Sequence, residues 1–509
     1  MNSRLRAALA GLASAAAALG LAELVAVATG PRSAPLIAVG GAIVDAVPEP
    51  VKHFAISLFG TKDKLALLTG TAVLLAAFAA LVGILADRHR RYGDIGIGLF
   101  GLIGIATALT RPGASWTWAL PSLVGSVAAA FLLRWLLDIG EAEDARPEPR
   151  DIATTTQRRR FIAQAGLVVG GAAVAGVGGR LLSTRRGVAA ARKAVVLPTP
   201  GSVASAVPQG AELDIPDITP YRTTNGSFYR IDTALVVPQV DPDTWRLRIY
   251  GKVRNPVTIT YADLLKRPMV ERWITLCCVS NEVGGDLIGN ARWLGVPVKD
   301  LLDEAGPLDG ADQVLSRSAD GFTCGTPTAV LRDGRDALLA VGMNGEPLPV
   351  DHGFPVRMVV PGLYGYVSAC KWITGMQLTG FDDVDAYWVQ RGWAPRGPIK
   401  TQSRIDVPRR GRSVRAGTVT VAGVAWAQHR GITKVEVSVD RGDWHEATLA
   451  EAASVDTWRQ WSWPWDARPG KHTLTVRATD ADGATQTSEE APPFPDGATG
   501  WDSFEVTVN

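Results

Sequence analysis

The run Thr275-Leu276-Cys277-Cys278-Val279-Ser280-Asn281 places two adjacent thiols directly after a short apolar stretch. A thiolate is a soft donor, and one that closes a short strand can hold a transition metal. A second run begins His352-Gly353-Phe354-Pro355-Val356-Arg357 and leads on to Lys371-Trp372. Around its Gly-rich turn, His352, Arg357 and Lys371 suit a phosphate-bearing anion, with Arg as a bidentate clamp and Lys as a point charge. The plainer alternative is a pair of buried free cysteines beside a basic surface loop, because free Cys is commonly buried. Residue types alone leave both readings open.

The elements that must position these groups lie between residues 216 and 392. Short β-rich runs such as Trp245–Tyr250 and Val356–Val360 alternate there with helix-like pieces such as Tyr261–Leu265 and Val298–Ala305. Asp-Gly and Gly-Pro turns punctuate them, which reads as an α+β domain without the regular alternation of a doubly wound sheet. From 396 to 509 the texture is strands only, with period-two alternation in Thr418–Ala425, Thr433–Asp440, Trp458–Trp463, Lys471–Ala478 and Phe504–Asn509. About seven strands in roughly 110 residues imply an all-β immunoglobulin-like sandwich. His429, His445 and His472 within it read as surface or strand residues rather than ligands.

The first third has a different composition, rich in Ala, Gly, Leu and Val. Ala7–Gly30, Leu65–Ala86, Ile95–Thr110 and Trp116–Leu137 approach or meet the roughly 20 apolar residues that a bilayer demands. They define an α-helical transmembrane bundle over 1–138 with about four spans, and 34–60 reads as an interfacial or re-entrant segment. Arg88, Arg90 and Arg91 mark a cytoplasmic loop, which places Arg4, Arg6 and a linker at 139–160 on the same side. A fifth apolar span, 161–182, follows Gln157-Arg158-Arg159-Arg160-Phe161-Ile162-Ala163. That entry resembles a twin-arginine export signal and equally suits a membrane helix with a positive flank. Either reading puts an Ala/Pro/Ser-rich tether at 183–215, and everything after it, outside the cytoplasm, in a multi-pass protein of the cytoplasmic membrane. Arg185, Arg186, Arg192 and Lys193 run against that polarity.

Composition sets the outer limits. A chain of 509 residues has room for three or four units at ~150 each. With 47% hydrophobic and 20% charged residues it is not wholly disordered, and a net charge of +2 gives no reason to expect nucleic acid. Four Cys exclude a disulfide scaffold; Cys324 and Cys370 are either two inert thiols or a pair closed outside the cytoplasm.

Taken jointly, the motifs from Phe228 to the carboxyl terminus resemble the sulfite oxidase family of molybdopterin enzymes. The matching features are Phe228-Tyr229-Arg230, Val237-Pro238, Cys278 with Asn281, Gly295-Val296-Pro297, Met343–Pro349, His352–Pro361 and Lys371-Trp372. The resemblance implies a molybdenum–molybdopterin cofactor with Cys278 as the metal ligand, Cys277 being the runner-up. It places Tyr229, Arg230, Asn281, His352, Arg357, Lys371 and the backbone at Ala369 and Cys370 around the pterin and its phosphate. It implies oxygen-atom transfer on a small sulfur compound, with Arg230 and Trp393 acting beside the metal, and a homodimer formed through the strand-only tail.

Two departures bear on the substrate. The family's Arg two residues after the Asn is Val283 here, preceded by Glu282, and its Tyr over the metal is replaced by Trp393 in Tyr387-Trp388-Val389-Gln390-Arg391-Gly392-Trp393. Loss of one buried charge-assisted hydrogen bond, worth roughly 1.5–3 kcal/mol, weakens binding of a small dianion such as sulfite. Reduction of an S-oxide such as methionine sulfoxide is therefore a competing activity, and a non-catalytic membrane-anchored scaffold that kept the fold is the alternative from another class. With no Cys-x-x-Cys-His, no Cys cluster and only His53 and His89 in the membrane region, neither haem nor an iron–sulfur cluster is expected, and electrons pass to or from a separate carrier.

Overall fold

The structure, a computed structural model, describes residues 3–47, 51, 63–111, 113–144, 150–185 and 187–509. It divides into two compact units, Met1–Gly187 with Ala234–Val237, and Val188–Thr233 with Pro238–Asn509.

The first unit is helical: α1 (Ser3–Thr29), α2 (Pro35–Ala46), α3 (Asp63–Arg88), α4 (Arg90–Leu109), α5 (Leu120–Asp144) and α6 (Arg150–Arg185). Five segments, Ser3–Thr29, Ala66–Arg88, Arg90–Leu109, Trp116–Ile139 and Phe161–Leu182, are long and apolar enough to cross a bilayer by length and composition. The buried residues of α1, which packs on α3, α5 and α6, are almost entirely Ala, Gly and Ser. At Gly11 and Gly83 a Cβ on either residue would strike the other helix's backbone, so α1 and α3 meet main chain to main chain. Large apolar side chains such as Leu74, Leu102, Phe131 and Leu167 point outward instead. Arg134 is gripped on both sides by Asp94 of α4, at 2.6 and 3.1 Å.

The interfacial reading of 34–60 corresponds to α2, 12 residues long and too short to span; His53 and most of the remainder lie outside the described residues. Part of the 139–160 linker, 145–149, is likewise outside them, but α6 is one continuous 36-residue helix that takes in the second half of the linker together with the fifth apolar stretch. The twin-arginine-like entry therefore has a helical backbone, and the side chains of 157–160 are outside the described residues.

The second unit opens with α7 (Ala189–Ala194). Arg192 bonds the carbonyls of Pro347 and Leu348 at 2.6 and 2.7 Å and the Glu346 carboxylate at 3.2 Å. Gly201 and Ser202 add backbone bonds to Met269 and Glu271. From Val188 onward, then, the stretch read as a tether is fastened to its own unit, and Arg192 is tied down within it.

Strands β1 (Arg246–Gly251), β2 (Val257–Thr260), β3 (Val270–Cys277), β4 (Ile288–Pro297), β5 (Gln313–Ser318), β6 (Thr323–Pro327), β7 (Leu338–Met343), β8 (Glu346–Pro347), β9 (Arg357–Val359) and β10 (Ile373–Thr379) form two sheets. Their orders are β2-β1-β10-β5-β6, in which β1 and β10 run parallel, and β3-β4-β7-β8, with β9 on β7. Between them come α8 (Tyr261–Leu265), started by a Thr260/Asp263 capping box, α9 (Val298–Ala305) and α10 (Gly365–Ser368). Helix α9 buries Val298, Leu301, Leu302 and Ala305, one face at helical spacing, and stops at Gly306, whose φ of 65° is the left-handed cap. All six residues of β7 are buried, as a strand covered on both faces requires.

The tail consists of β11 (Gln402–Val407), β12 (Ser413–Val414), β13 (Gly417–Trp426), β14 (Ile432–Val439), β15 (Trp444–Glu446), β16 (Thr448–Leu449), β17 (Arg459–Ala467), β18 (Gly470–Asp480) and β19 (Asp502–Val508). They make two sheets, β11-β13-β17-β16 and β12-β19-β18-β14-β15, around Val421, Val435, Trp461, Leu474 and Val476. Strand β19 buries every second residue, the signature of one wet and one dry face. Trp426 and Trp458 pack into the core of the preceding α+β domain. The edge of β3 that Ser202 covers at Glu271 is covered further along by the tail. Thr275 N–H donates to Asp456 O, its carbonyl accepts from Gln428 Nε2 at 3.0 Å, and its hydroxyl accepts from Trp458 N–H at 2.8 Å.

Candidate active site

Strand β3 delivers the two thiols and then turns. Asn281 N–H bonds Cys278 O at 3.1 Å and Cys278 N–H bonds Leu287 O at 2.9 Å. Asn281 Oδ1 accepts from Leu287 N–H at 2.8 Å, so this side chain closes the loop 281–287. Arg404 of β11 grips the same loop, donating to Gly285 O at 2.6 Å and to Thr219 Oγ1 at 2.7 Å while pairing with Asp406.

Both thiols are buried, but in different surroundings. Cys277 belongs to the apolar core and its Sγ turns back on Cys278 O at 3.5 Å. Burial, then the charge of Cys278, pushes the Cys277 thiol far up. Burial also raises Cys278, opposed by hydrogen bonds from the Ser280 N–H and hydroxyl and by the Lys371 ammonium. Of the pair, Cys278 is the better placed to be a thiolate.

The cations lie on β9, the turn before it and the approach to β10. Gly353 makes this possible: its φ is +111°, and a Cβ there would come within 2.9 Å of Arg357 Cβ and 3.3 Å of Lys371 Cα. Arg357 is buried, with its Nη1 on His352 O at 3.2 Å and its guanidinium 5.0 Å from the centroid of the Trp293 ring. Among the described residues no carboxylate pairs with it, and burial pulls its pKa down to about 10. Lys371 is buried against Asp232 at 2.6 Å, and burial lowers it to about 8 in spite of that partner. Burial, then the Arg357 charge, lowers His352 to about 4, so at neutral pH it is uncharged; its Nε2 donates to Asn225 O at 3.0 Å.

Arg230 is more open, bound to Asp232 at 2.9 Å and 3.8 Å from Asp351. Tyr229 stacks on Phe228, and its hydroxyl comes close to Gly365 at the start of α10. A Cβ on Gly365 would lie 3.8 Å from that hydroxyl, 3.7 Å from Cys277 O and 3.6 Å from Ala369 Cβ. The turn after β3, Tyr229 and the Gly365–Ala369 segment thus converge. The Cys370 side chain is wholly buried in the core beside Cys324 and within electrostatic reach of Arg357; both cysteines are free thiols.

Trp393 packs among Tyr366 of α10, Trp388 and Phe494, with its indole N–H buried and without a hydrogen-bond partner among the described residues. Sequence reasoning missed Asp232, Ser280, Tyr364 and Arg404. Tyr364 is buried, and the charges of Cys277 and Cys278 help to raise its phenol. Asp232 was visible as the second residue after Arg230, but nothing local indicates that it also reaches Lys371.

A thiol turn beside a buried, carboxylate-free guanidinium, a neutral imidazole and a half-compensated ammonium is suited to a metal held next to an organic phosphate. Residues 234–388 match the family model described as oxidoreductase molybdopterin binding domain, and residues 402–476 match that of a bacterial Ig domain. The chain is 33% identical over 182 residues to the uncharacterized oxidoreductase YuiH of Bacillus subtilis (strain 168), covering 87% of that protein and 35% of this one. It is 33% identical over 286 residues to mitochondrial sulfite oxidase of Mus musculus, 48% of this chain and 52% of the relative. The chain belongs to the sulfite oxidase family of molybdopterin oxidoreductases. It spans about half the length of the mammalian relatives that it matches. Among solved structures, the sulfane dehydrogenase SoxCD from Paracoccus pantotrophus shares the fold, with a TM-score of 0.51 at 24% identity over 57% of this chain and 82% of that one.

Proposed function

We propose that the chain is a membrane-anchored, outward-facing molybdenum–molybdopterin oxidoreductase acting on a small sulfur compound. The observation that carries this reading is Arg357, a buried cation without a carboxylate partner among the described residues, gathered with Lys371 and the Cys278 turn. Burying an uncompensated charge is costly, and an organic phosphate supplies the missing counter-charge. The residues present fit the group. Cys278 holds the metal; Arg357, Lys371, His352, Tyr229, Arg230 and the backbone at Ala369 and Cys370 hold the pterin and its phosphate. When bound, such a cofactor supplies two-electron oxygen-atom transfer.

The chain's own residues set the conditions for that chemistry. Asn281 and Arg404 fix the loop after the thiolate from opposite sides. Neutral His352 orients through Asn225, adding no charge of its own. Burial of Cys278 and Arg357 keeps water away from both. Trp393 stands in sequence where the family carries a phenol, with its indole N–H buried and without a hydrogen-bond partner among the described residues.

A second reading rests on the substrate side. Val283 lacks the family's cation, Glu282 adds an acid, and Arg230 is already engaged by Asp232. Fewer free cations favour a less negative substrate, so reduction of an S-oxide competes with oxidation of sulfite. Five apolar segments, the Arg88–Arg91 cluster and the resemblance of the tail to a dimerisation domain support the anchored, outward-facing, dimeric arrangement, with a separate electron carrier. The test is molybdenum and pterin analysis of the purified chain, followed by turnover with sulfite and with methionine sulfoxide using artificial electron carriers. About one metal per chain supports the enzyme, the preferred substrate chooses between the readings, and absence of metal and pterin would falsify both in favour of a scaffold.

A further inference from the structure

Asp232 sits where the proposed phosphate site has its two remaining cations. A single carboxylate oxygen, Oδ2, accepts from Lys371 Nζ at 2.6 Å and from Arg230 Nε at 2.9 Å. The Asp232 side chain is 5% exposed and that of Lys371 is 9% exposed, so this pair has left water. Arg230 is 36% exposed and reaches a second acid, Asp351, only at 3.8 Å. Arg357 has no carboxylate among the described residues, whereas Lys371 and Arg230 converge on one. The cluster of cations is therefore partly neutralised by a group of the chain itself.

We infer that Asp232 is an internal stand-in for the cofactor's phosphate, holding Lys371 and Arg230 together before loading and competing with the incoming dianion for both. This rests on the cofactor reading above and adds to it a competitor built into the site. The physical basis is simple. A buried ammonium without a counter-ion is strongly unfavourable, so an empty pocket needs an anion. A second, doubly charged anion drawn to the same ammonium then meets the first one's field at close range in a poorly screened interior. Asp232 thus stabilises the empty pocket and weakens the filled one, in contrast to an acid that merely orients Lys371, which would strengthen the filled one.

The test compares detergent-solubilised full-length wild type with Asp232→Asn. Cofactor retention is followed as molybdenum content and pterin fluorescence during dialysis of loaded protein, and empty protein is melted against inorganic phosphate. The expected result is cofactor held on the order of tenfold longer in Asp232→Asn, a lower melting temperature of its empty form, and stabilisation by phosphate at lower concentrations than wild type needs. Retention that is unchanged or shortened overturns the inference and makes Asp232 an orienting group. Retention is measured on protein purified already loaded, so it decides the matter even if the empty variant does not fold. A wild type that carries no molybdenum–pterin overturns the function proposal and this inference together; a loaded wild type with an unaffected variant overturns the inference alone.

Discussion

Cys277 and Cys278 are neighbours of the same chemistry placed in unlike surroundings. The first is core, the second faces Ser280 and the charge of Lys371. Cys278→Ser should abolish molybdenum binding while leaving the melting temperature of the empty chain nearly unchanged. Cys277→Ser should keep the metal but lose about 1–3 kcal/mol of stability, because a hydroxyl replaces a sulfur in apolar packing. Metal analysis and denaturant melts of both variants check this, and the reverse pattern would make Cys277 the ligand. His352 gives a pH signature. Its folded value of about 4 lies below the 6.5 of an ordinary imidazole, so between those values the unfolded chain binds the proton that the folded chain refuses. Stability contributed by the neutral ring is therefore complete above about pH 6.5 and falls as pH drops toward 4, by up to about 3 kcal/mol. Melts from pH 7 to 4 should show that slope, and His352→Gln should flatten it.

At the scale of elements, the site is a strand end, a loop and a turn held by partners far away in sequence. Arg404 lies 119 residues from Gly285, and Lys371 lies 139 from Asp232. Such pairings leave no local pattern, which is why the cysteine turn and the basic run were legible in the chain while Arg404 and the double role of Asp232 were not. Strands of the tail were legible where one face is dry, as in β19 and the second half of β18, whereas Val421–Trp426 of β13 is buried on both faces and was legible through its apolar run instead. The continuity of α6 was not, because its first turns are polar and carry no apolar stripe. Replacing Arg404 by Met leaves the Asp406 carboxylate with only the Thr219 N–H among the described residues and frees Gly285 O, so a loss of about 3 kcal/mol is expected. Adding Asp406→Asn should recover part of it, and a double-mutant cycle by chemical denaturation measures the coupling. If the two single losses simply add, Arg404 does not work through that pair.

For the whole molecule, the two units differ in what buries their apolar surface. The helical unit keeps Leu74, Leu102 and Phe131 outward and packs through Ala and Gly, whereas the other unit hides Trp, Val and Leu inside. Composition alone announced that contrast, whereas the fastening of residues 188–215 stayed hidden because Ala, Pro and Ser carry no pattern that distinguishes a strap from a loose linker. A chain shortened to begin at Val188 should fold without detergent and retain molybdenum and pterin. One beginning at 205 loses Arg192 and its bonds to Pro347, Leu348 and Glu346, and should melt lower. Gel filtration and metal content of the two chains check the expectation, and aggregation of the longer one would show that the helices are needed for folding.

The covered edge of β3 carries one more consequence. Because Asp456, Gln428 and Trp458 complete Thr275 two positions before Cys277, the carboxyl-terminal sandwich is a splint for the thiol turn as well as an appendage. Chimaeras that swap this sandwich for another member's would have to import those three partners as a set, or the reacting centre would be left with a frayed border.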